Sequence, residues 1–241
     1  METIAEIGHL KKSFGKNDVL KDINLKVEKG ENLVVFGKSG CGKSVLIKCL
    51  VGLIEPDDGK VILFGKDISS LNEEELDSLR KKIGFLFQSA ALYDSMTVRE
   101  NLEFSLRDSK AKSQEEIDAL VIEALKNVGL EEAIDKMPSE LSGGMKKRVG
   151  LARTLILKPE IILYDEPTTG LDPITSKEIS LLILDVQKKY NAASIIITHD
   201  KECARITANY IIVIKEGMVF AEGTFNEVSE SNDEWISAFF K

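Results

Sequence analysis

The sequence predicts an α/β fold whose core is interrupted by a helical segment, and three observations predict it. Continuous apolar runs of strand length recur at Asn32–Phe36, Ile161–Tyr164 and Ser194–Thr198, the pattern of strands buried on both faces of a parallel sheet. The first two runs lead through turns into helical patterns, Lys43–Leu50 and then Asp172-Pro173 onward. Between these halves, residues 89–158 carry helical signals alone. The expected organisation is one domain over 1–241, with a core made of 1–88 and 159–241 and a helical subdomain over 89–158.

In chain order, Thr3–Leu10 alternates as a strand, and Leu20, Ile23, Leu25 and Val27 form a second, interrupted apolar pattern. Lys60–Phe64 and Ile83–Phe87 read as further strands. Within the helical segment Ser113 and Glu116 make a capping box, followed at helical spacing by Ile117, Leu120, Val121, Ala124, Leu125 and Val128. A second helix runs from about Gly143 to Leu157. Asp172 and Pro173 are N-cap and first residue of a helix reaching Tyr190. Tyr210–Ile214 and Met218–Ala221 form a hairpin about Glu216-Gly217. Thr224 with Glu227 starts a terminal helix, and a last short one carries Trp235, Phe239 and Phe240. No repeat or low-complexity linker interrupts the pattern.

Bulk composition narrows the partners. The 241 residues are 43% hydrophobic, enough for a sizeable core, and carry a net charge of −8. That balance argues against nucleic acid, whose binders present a basic face. Three cysteines without a CxxC pair and two distant histidines fit neither a disulfide framework nor structural zinc, and point to a reducing compartment. There is no leader pattern, and the longest apolar runs fall far short of the ~20 residues of a membrane span. A soluble chain is expected, one that meets any membrane only as a peripheral partner.

The chemistry starts at residues 37–44, G-K-S-G-C-G-K-S, which match G-x-x-x-x-G-K-[ST] at every fixed position, after a strand and before a helix. Gly37, Lys38, Ser39, Gly40, Cys41 and Gly42 can turn successive backbone N–H groups toward phosphate oxygens, with Val45 on the helix beyond. Lys43 is placed for the β- and γ-phosphates and Ser44 for Mg²⁺. Residues 161–166, I-I-L-Y-D-E, end a buried strand in two carboxylates. Asp165 is the expected Mg²⁺ ligand, and Glu166 the general base that orients the attacking water.

Residues 141–145, L-S-G-G-M, decide among the families that share a phosphate loop. With them the chain resembles, along nearly its whole length, the nucleotide-binding subunits of ABC transporters, whose signature is L-S-G-G-Q. The resemblance implies a RecA-like P-loop NTPase core with an antiparallel β subdomain and an inserted α-helical subdomain. It implies that Phe14 stacks on adenine, that Gln88 in F-L-F-Q contacts Mg²⁺ and the water, and that His199 in I-I-I-T-H-D is the switch histidine. It also implies that Asp172 in G-L-D-P belongs to the loop after the acidic strand, and that Ser142, Gly143 and Gly144 face the ATP of a partner subunit. Two copies then meet head to tail around two ATP molecules, beneath integral-membrane permease subunits on the cytoplasmic face of the cell membrane. Each site residue also has a plainer reading, Asp172 that of a mere helix cap, and Lys146, Lys147 and Arg148 read more plainly as a solvated helix face.

Met145, followed by K-K-R-V-G-L-A-R, and S-A-A-L-Y-D-S-M-T-V-R-E-N-L after Gln88 resemble the ATPases of MCE-associated phospholipid-trafficking systems. That resemblance implies lipid cargo and an MCE-type lipid-binding partner, with Tyr93 and Arg99 as permease contacts. Transport of an amino acid, ion or sugar is the alternative, as is a non-transport ABC regulator. A chromosome or repair ATPase of this family needs a long coiled-coil insertion, which 89–158 is too short to supply.

The phosphate loop generates a first expectation. Lys43→Ala should abolish tight ATP binding, because it removes the only side-chain cation in the loop's phosphate-facing position. Titration with a fluorescent ATP analogue measures it, and an unchanged affinity would exclude the loop as the phosphate site.

Overall fold

The computed structural model describes residues 2–107 and 113–240; the stretch 108–112 of the expected helical segment lies outside them. Ten strands form one sheet: β1 (Thr3–Phe14), β2 (Asn17–Glu28), β3 (Asn32–Phe36), β4 (Asp58–Leu63), β5 (Lys66–Asp67), β6 (Ile83–Leu86), β7 (Ile161–Asp165), β8 (Ala193–Thr198), β9 (Tyr210–Lys215) and β10 (Met218–Gly223). Nine helices accompany them among the described residues: α1 (Lys43–Leu50), α2 (Glu73–Arg80), α3 (Val98–Phe104), α4 (Gln114–Lys126), α5 (Gly143–Leu155), α6 (Pro173–Tyr190), α7 (Lys201–Thr207), α8 (Phe225–Ser229) and α9 (Glu234–Phe240). The spatial order is β5-β4-β1-β2-β10-β9-β3-β8-β7-β6. The β9-β3-β8-β7-β6 half is parallel, and β5-β4-β1-β2 is an antiparallel wing. This is the P-loop NTPase fold with its antiparallel subdomain.

The continuous apolar runs are explained by the packing on each face. Successive strand residues point to opposite sides, so Val34, Phe36, Ile162, Tyr164 and Ile196 join a core shared with α5 and α6. Their neighbours Leu33, Val35, Ile161, Leu163, Ile195 and Ile197 join a second core with α1 and the antiparallel wing. Each such fully buried aliphatic side chain contributes about 1.5–3 kcal/mol of transfer free energy. A strand polar on either face would lose one of these layers.

The β9–β10 turn takes its shape from Glu216 and Gly217, both with positive φ (51° and 78°), as a two-residue hairpin of this hand requires. The capping boxes at Ser113/Glu116 and Thr224/Glu227 form as read. Two more, Asn72/Glu75 ahead of α2 and Thr97/Glu100 ahead of α3, carry the same four-residue spacing but lead short helices with too few apolar positions to show a period. Helix expected from residue 89 begins only at Val98. Ala90 and Ala91 instead have φ of 60° and 48°, values that break a right-handed helix.

α5 lies unusually close to β6. A Cβ on Gly84 would sit 2.3 Å from Cγ2 of Thr154 and 3.1 Å from Cγ of Pro159. Thr154 meanwhile donates its hydroxyl to the Gly150 carbonyl at 3.0 Å. Gly84→Ala should therefore destabilise the chain by about 1–3 kcal/mol through overpacking. Thr154→Ser in the same chain, which deletes the offending methyl and keeps the hydroxyl, should recover part of that loss. Urea unfolding of the single and double variants checks both.

Candidate functional site

The phosphate loop leaves the end of β3 and enters α1 through backbone that only glycine tolerates at two points. Gly42 has φ 103°, and a Cβ there would meet Leu20 Cδ2 at 2.8 Å. A Cβ on Gly37 would meet the Ile214 carbonyl at 2.7 Å. The loop is thus pressed against β2 and β9, and its shape is held from outside. The Lys43 side chain, 6% exposed, folds back over it, donating to the carbonyls of Gly37 at 2.6 Å and Lys38 at 3.0 Å.

Opposite Lys43 stands Glu166, the residue after β7. Its backbone is left-handed, φ 49°, a conformation that costs on the order of 1 kcal/mol for a side chain of this kind. Its amide and carboxylate make four contacts there. The Glu166 N–H donates to Ile197 O at 2.9 Å. Oε2 lies 2.8 Å from Nδ1 of His199 and accepts from the Thr169 hydroxyl at 3.3 Å. Oε1 lies 3.7 Å from Nζ of Lys43. A carboxylate that is largely buried yet fixed between a cation, an imidazole and a hydroxyl has one orientation.

Asp165 precedes it. Burial, then the Glu166 carboxylate beside it, push its pKa above the ordinary range, against the Ser44 hydroxyl and Lys43, which pull it down. Ser44 Oγ lies 3.5 Å from Asp165 Oδ1. Two hard oxygens facing each other, one of them a carboxylate oxygen, suit a divalent cation such as Mg²⁺. Among the described residues there is no cluster of three or more His, Cys, Asp or Glu that could hold a metal.

A cavity of about 270 Å³ is lined by Ser39, Gly40, Gly42, Lys43, Ser44 and Val45 of the loop, with Gln88, Glu166 and His199. Four separate sequence motifs thus meet at one place. Val19 and Thr169 line it too, and neither is part of a motif that sequence reading could single out. Gly37, Lys38 and Cys41 are not among the lining residues. Phe14, at the end of β1, does not line the cavity and leaves 48% of its surface exposed.

The remaining candidates gather elsewhere. Ser142 caps α5, accepting from Met145 N at 3.3 Å. Gly143 and Gly144 pack on the start of α6 and the loop before it: a Cβ on Gly143 would fall 3.3 Å from Leu171 Cδ2, and one on Gly144 2.5 Å from Thr175 Cγ2. Asp172 caps α6 as read, accepting from Ile174 N and Thr175 N at 3.0 Å each. Tyr93 is 42% exposed and packs on Phe104. Arg99 is ion-paired within the chain, 2.7 Å from Asp118 and 3.5 Å from Glu103. Lys147, whose plainer reading was a solvated face, is 5% exposed, because α5 lays that face on the turns after β6 and β7.

Comparison with known proteins agrees with this geometry. The family model described as "ABC transporter" matches residues 20–169. The chain is 38% identical over 255 residues to "Protein TRIGALACTOSYLDIACYLGLYCEROL 3, chloroplastic" of Arabidopsis thaliana, covering 99% of this chain and 73% of that one. It is 37% identical over 240 residues to the "Intermembrane phospholipid transport system ATP-binding protein MlaF" of Haemophilus influenzae, covering 100% of this chain and 91% of that one. A "Methionine import ATP-binding protein MetN" of Clostridioides difficile is 38% identical over 95% of this chain and 71% of its own. Among solved structures, the dimeric post-hydrolysis state of the cassette MJ0796 with ADP and Pi superposes with a TM-score of 0.82 at 33% identity, covering 92% of this chain and 99% of that one.

Proposed function

The chain belongs to the ABC transporter family, and from that premise we propose that it is an ATP-hydrolysing subunit that pairs with a second copy beneath a membrane permease and drives movement of phospholipid or a related lipid. The observation that supports the ATPase reading is the convergence of Lys43, Ser44, Gln88, Glu166 and His199 on one cavity. The lipid reading rests on Met145 in the signature and on the relatives named for phospholipid and galactolipid. No helix among the described residues is long and apolar enough to cross a membrane, so the conduit is assigned to another chain.

Phosphoryl transfer depends on positioning and on charge stabilisation. The backbone N–H groups from Gly37 to Ser44 and the Lys43 ammonium hold the β- and γ-phosphates. Ser44, Asp165 and Gln88 are the residues that would hold Mg²⁺, whose charge, when bound, would offset that of the transferred group. Glu166 orients the attacking water and draws off its proton, and His199 keeps the carboxylate in place through its Nδ1 contact. Phe14 offers its exposed ring to adenine. Ser142, Gly143 and Gly144, at the N-terminus of the thirteen-residue α5, supply N–H donors to the partner's nucleotide. Asp172 shapes the loop beside them. Tyr93 is kept as a permease contact, its exposed ring close to the turn after Gln88.

Glu166→Gln should keep nucleotide binding, lose ~10²-fold or more in turnover, and accumulate as an ATP-bound dimer on size exclusion; near-normal turnover would remove Glu166 from its role. Deleting the gene should alter envelope lipid distribution and detergent sensitivity, restored by the parent gene and not by Glu166→Gln. Starvation for a sugar, ion or amino acid with lipids untouched would exclude lipid as cargo and leave the ATPase reading standing.

A further inference from the structure

Lys147 projects from α5 into the protein. Its ammonium donates to the backbone carbonyl of Gln88 at 2.5 Å and to that of Glu166 at 3.2 Å. An ammonium loses its hydration when buried, and a methionine of similar length would fill the same space without that loss. Burial indeed lowers the Lys147 pKa, with Asp165 and Glu166 drawing it back up through space. The charge is compensated here by its two acceptors.

Those acceptors belong to the two residues that place the water, on turns that come after adjacent parallel strands, β6 and β7. Both turns are strained. Glu166 has φ 49°, and Ala90 and Ala91, just after Gln88, have φ of 60° and 48°. Such backbone persists only when its surroundings hold it. α5 provides that hold along one face. Arg153 donates to Ala91 O at 2.7 Å and to Ala90 O at 3.0 Å, and Thr154 to Phe85 O at 3.3 Å. Lys147 alone of this set reaches both turns.

We propose that Lys147 is a positioning residue that fixes Gln88 and Glu166 relative to each other, so that the same helix whose N-terminus carries Ser142 sets the geometry of the water-placing groups. The inference rests on the reading of Gln88 and Glu166 as those groups. A residue acting this way leaves nucleotide affinity alone and changes turnover, since the phosphate loop does not touch it.

The experiment compares the parent, Glu166→Gln, Lys147→Met and Lys147→Arg in the complex extracted from its native membrane with mild detergent, measuring affinity for a fluorescent ATP analogue beside kcat and KM. Lys147→Met should bind within about twofold of the parent and lose roughly 10- to 100-fold in kcat, the signature of an interaction used only in the transition state. Lys147→Arg, which keeps N–H donors on a long stem, should restore most of the loss. If Lys147→Met is recovered unfolded, Lys147→Gln replaces it; its amide stem is too short to span both carbonyls, and the same split is expected. Parent-like kcat in Lys147→Met beside an inactive Glu166→Gln overturns the inference alone. Equal loss of affinity and turnover, with no rescue by Lys147→Arg, also overturns it. An active Glu166→Gln chain overturns the site reading and the inference with it.

Discussion

The register of three parallel strand pairs is the constraint on which the site depends. Phe36 of β3 lies opposite Thr198 of β8, Ile197 of β8 opposite Asp165 of β7, and Tyr164 of β7 opposite Leu86 of β6. The strands therefore end nearly level, and the turn after each one emerges at the same edge. Gly37, His199, Glu166 and Gln88 stand on those turns. Both faces of these strands are packed, so a one-residue slip of any one of them would exchange the side chains it presents to the two cores and spoil the fit of each; the hydrophobic core fixes this alignment without reference to the chemistry. Function takes advantage of a geometry that burial already enforces.

At that edge the energetic balance changes sign. A few residues down the strands everything is apolar and buried; at the edge Lys43, Glu166, Asp165 and Lys147 share a small, poorly hydrated region. Charges there are tolerable because each has specific partners: carbonyls for the two lysines, His199 and Thr169 for Glu166, Ser44 for Asp165. Asp165 is the least settled of them, held high by burial and by its neighbour. An incoming cation and phosphate would bring in charge that this arrangement can use. Strain obeys the same logic, since the left-handed residues Ala90, Ala91 and Glu166 stand at the turns that must present side chains and peptide groups to the cavity.

The antiparallel wing and the helical insert relate to this edge differently. The wing shares the core that contains α1 and so backs the phosphate loop from beneath. The insert, of which α5 is part, shares the opposite core with α6, and α5 grips the segment after β6 through side chains aimed at backbone oxygens. Glycines at positions 84 and 150 let that helix approach closely: a Cβ on Gly150 would fall 2.9 Å from Leu86 Cδ1.

Much of this was legible in the chain itself. Short apolar runs, the phosphate-loop spacing, the double carboxylate at a strand end and the cap residues are local, and local order expresses them through backbone sterics and strand or helix period. α2 escaped because its helix is too short for periodicity to outweigh propensity, and the late start of the helix at Val98 because nothing in Ala90-Ala91 announces positive φ. Val19 and Thr169 entered the site only through folding, having no motif to mark them. The burial of Lys147 was decided by packing alone, since K-K-R on a helix reads the same whether the face meets water or a turn of backbone. Which residues can do the chemistry is a matter of side-chain type and spacing, and the sequence determined it; which of them meet is a matter of strand register and helix docking, whose contacts join residues far apart along the chain, and only the tertiary structure decided that.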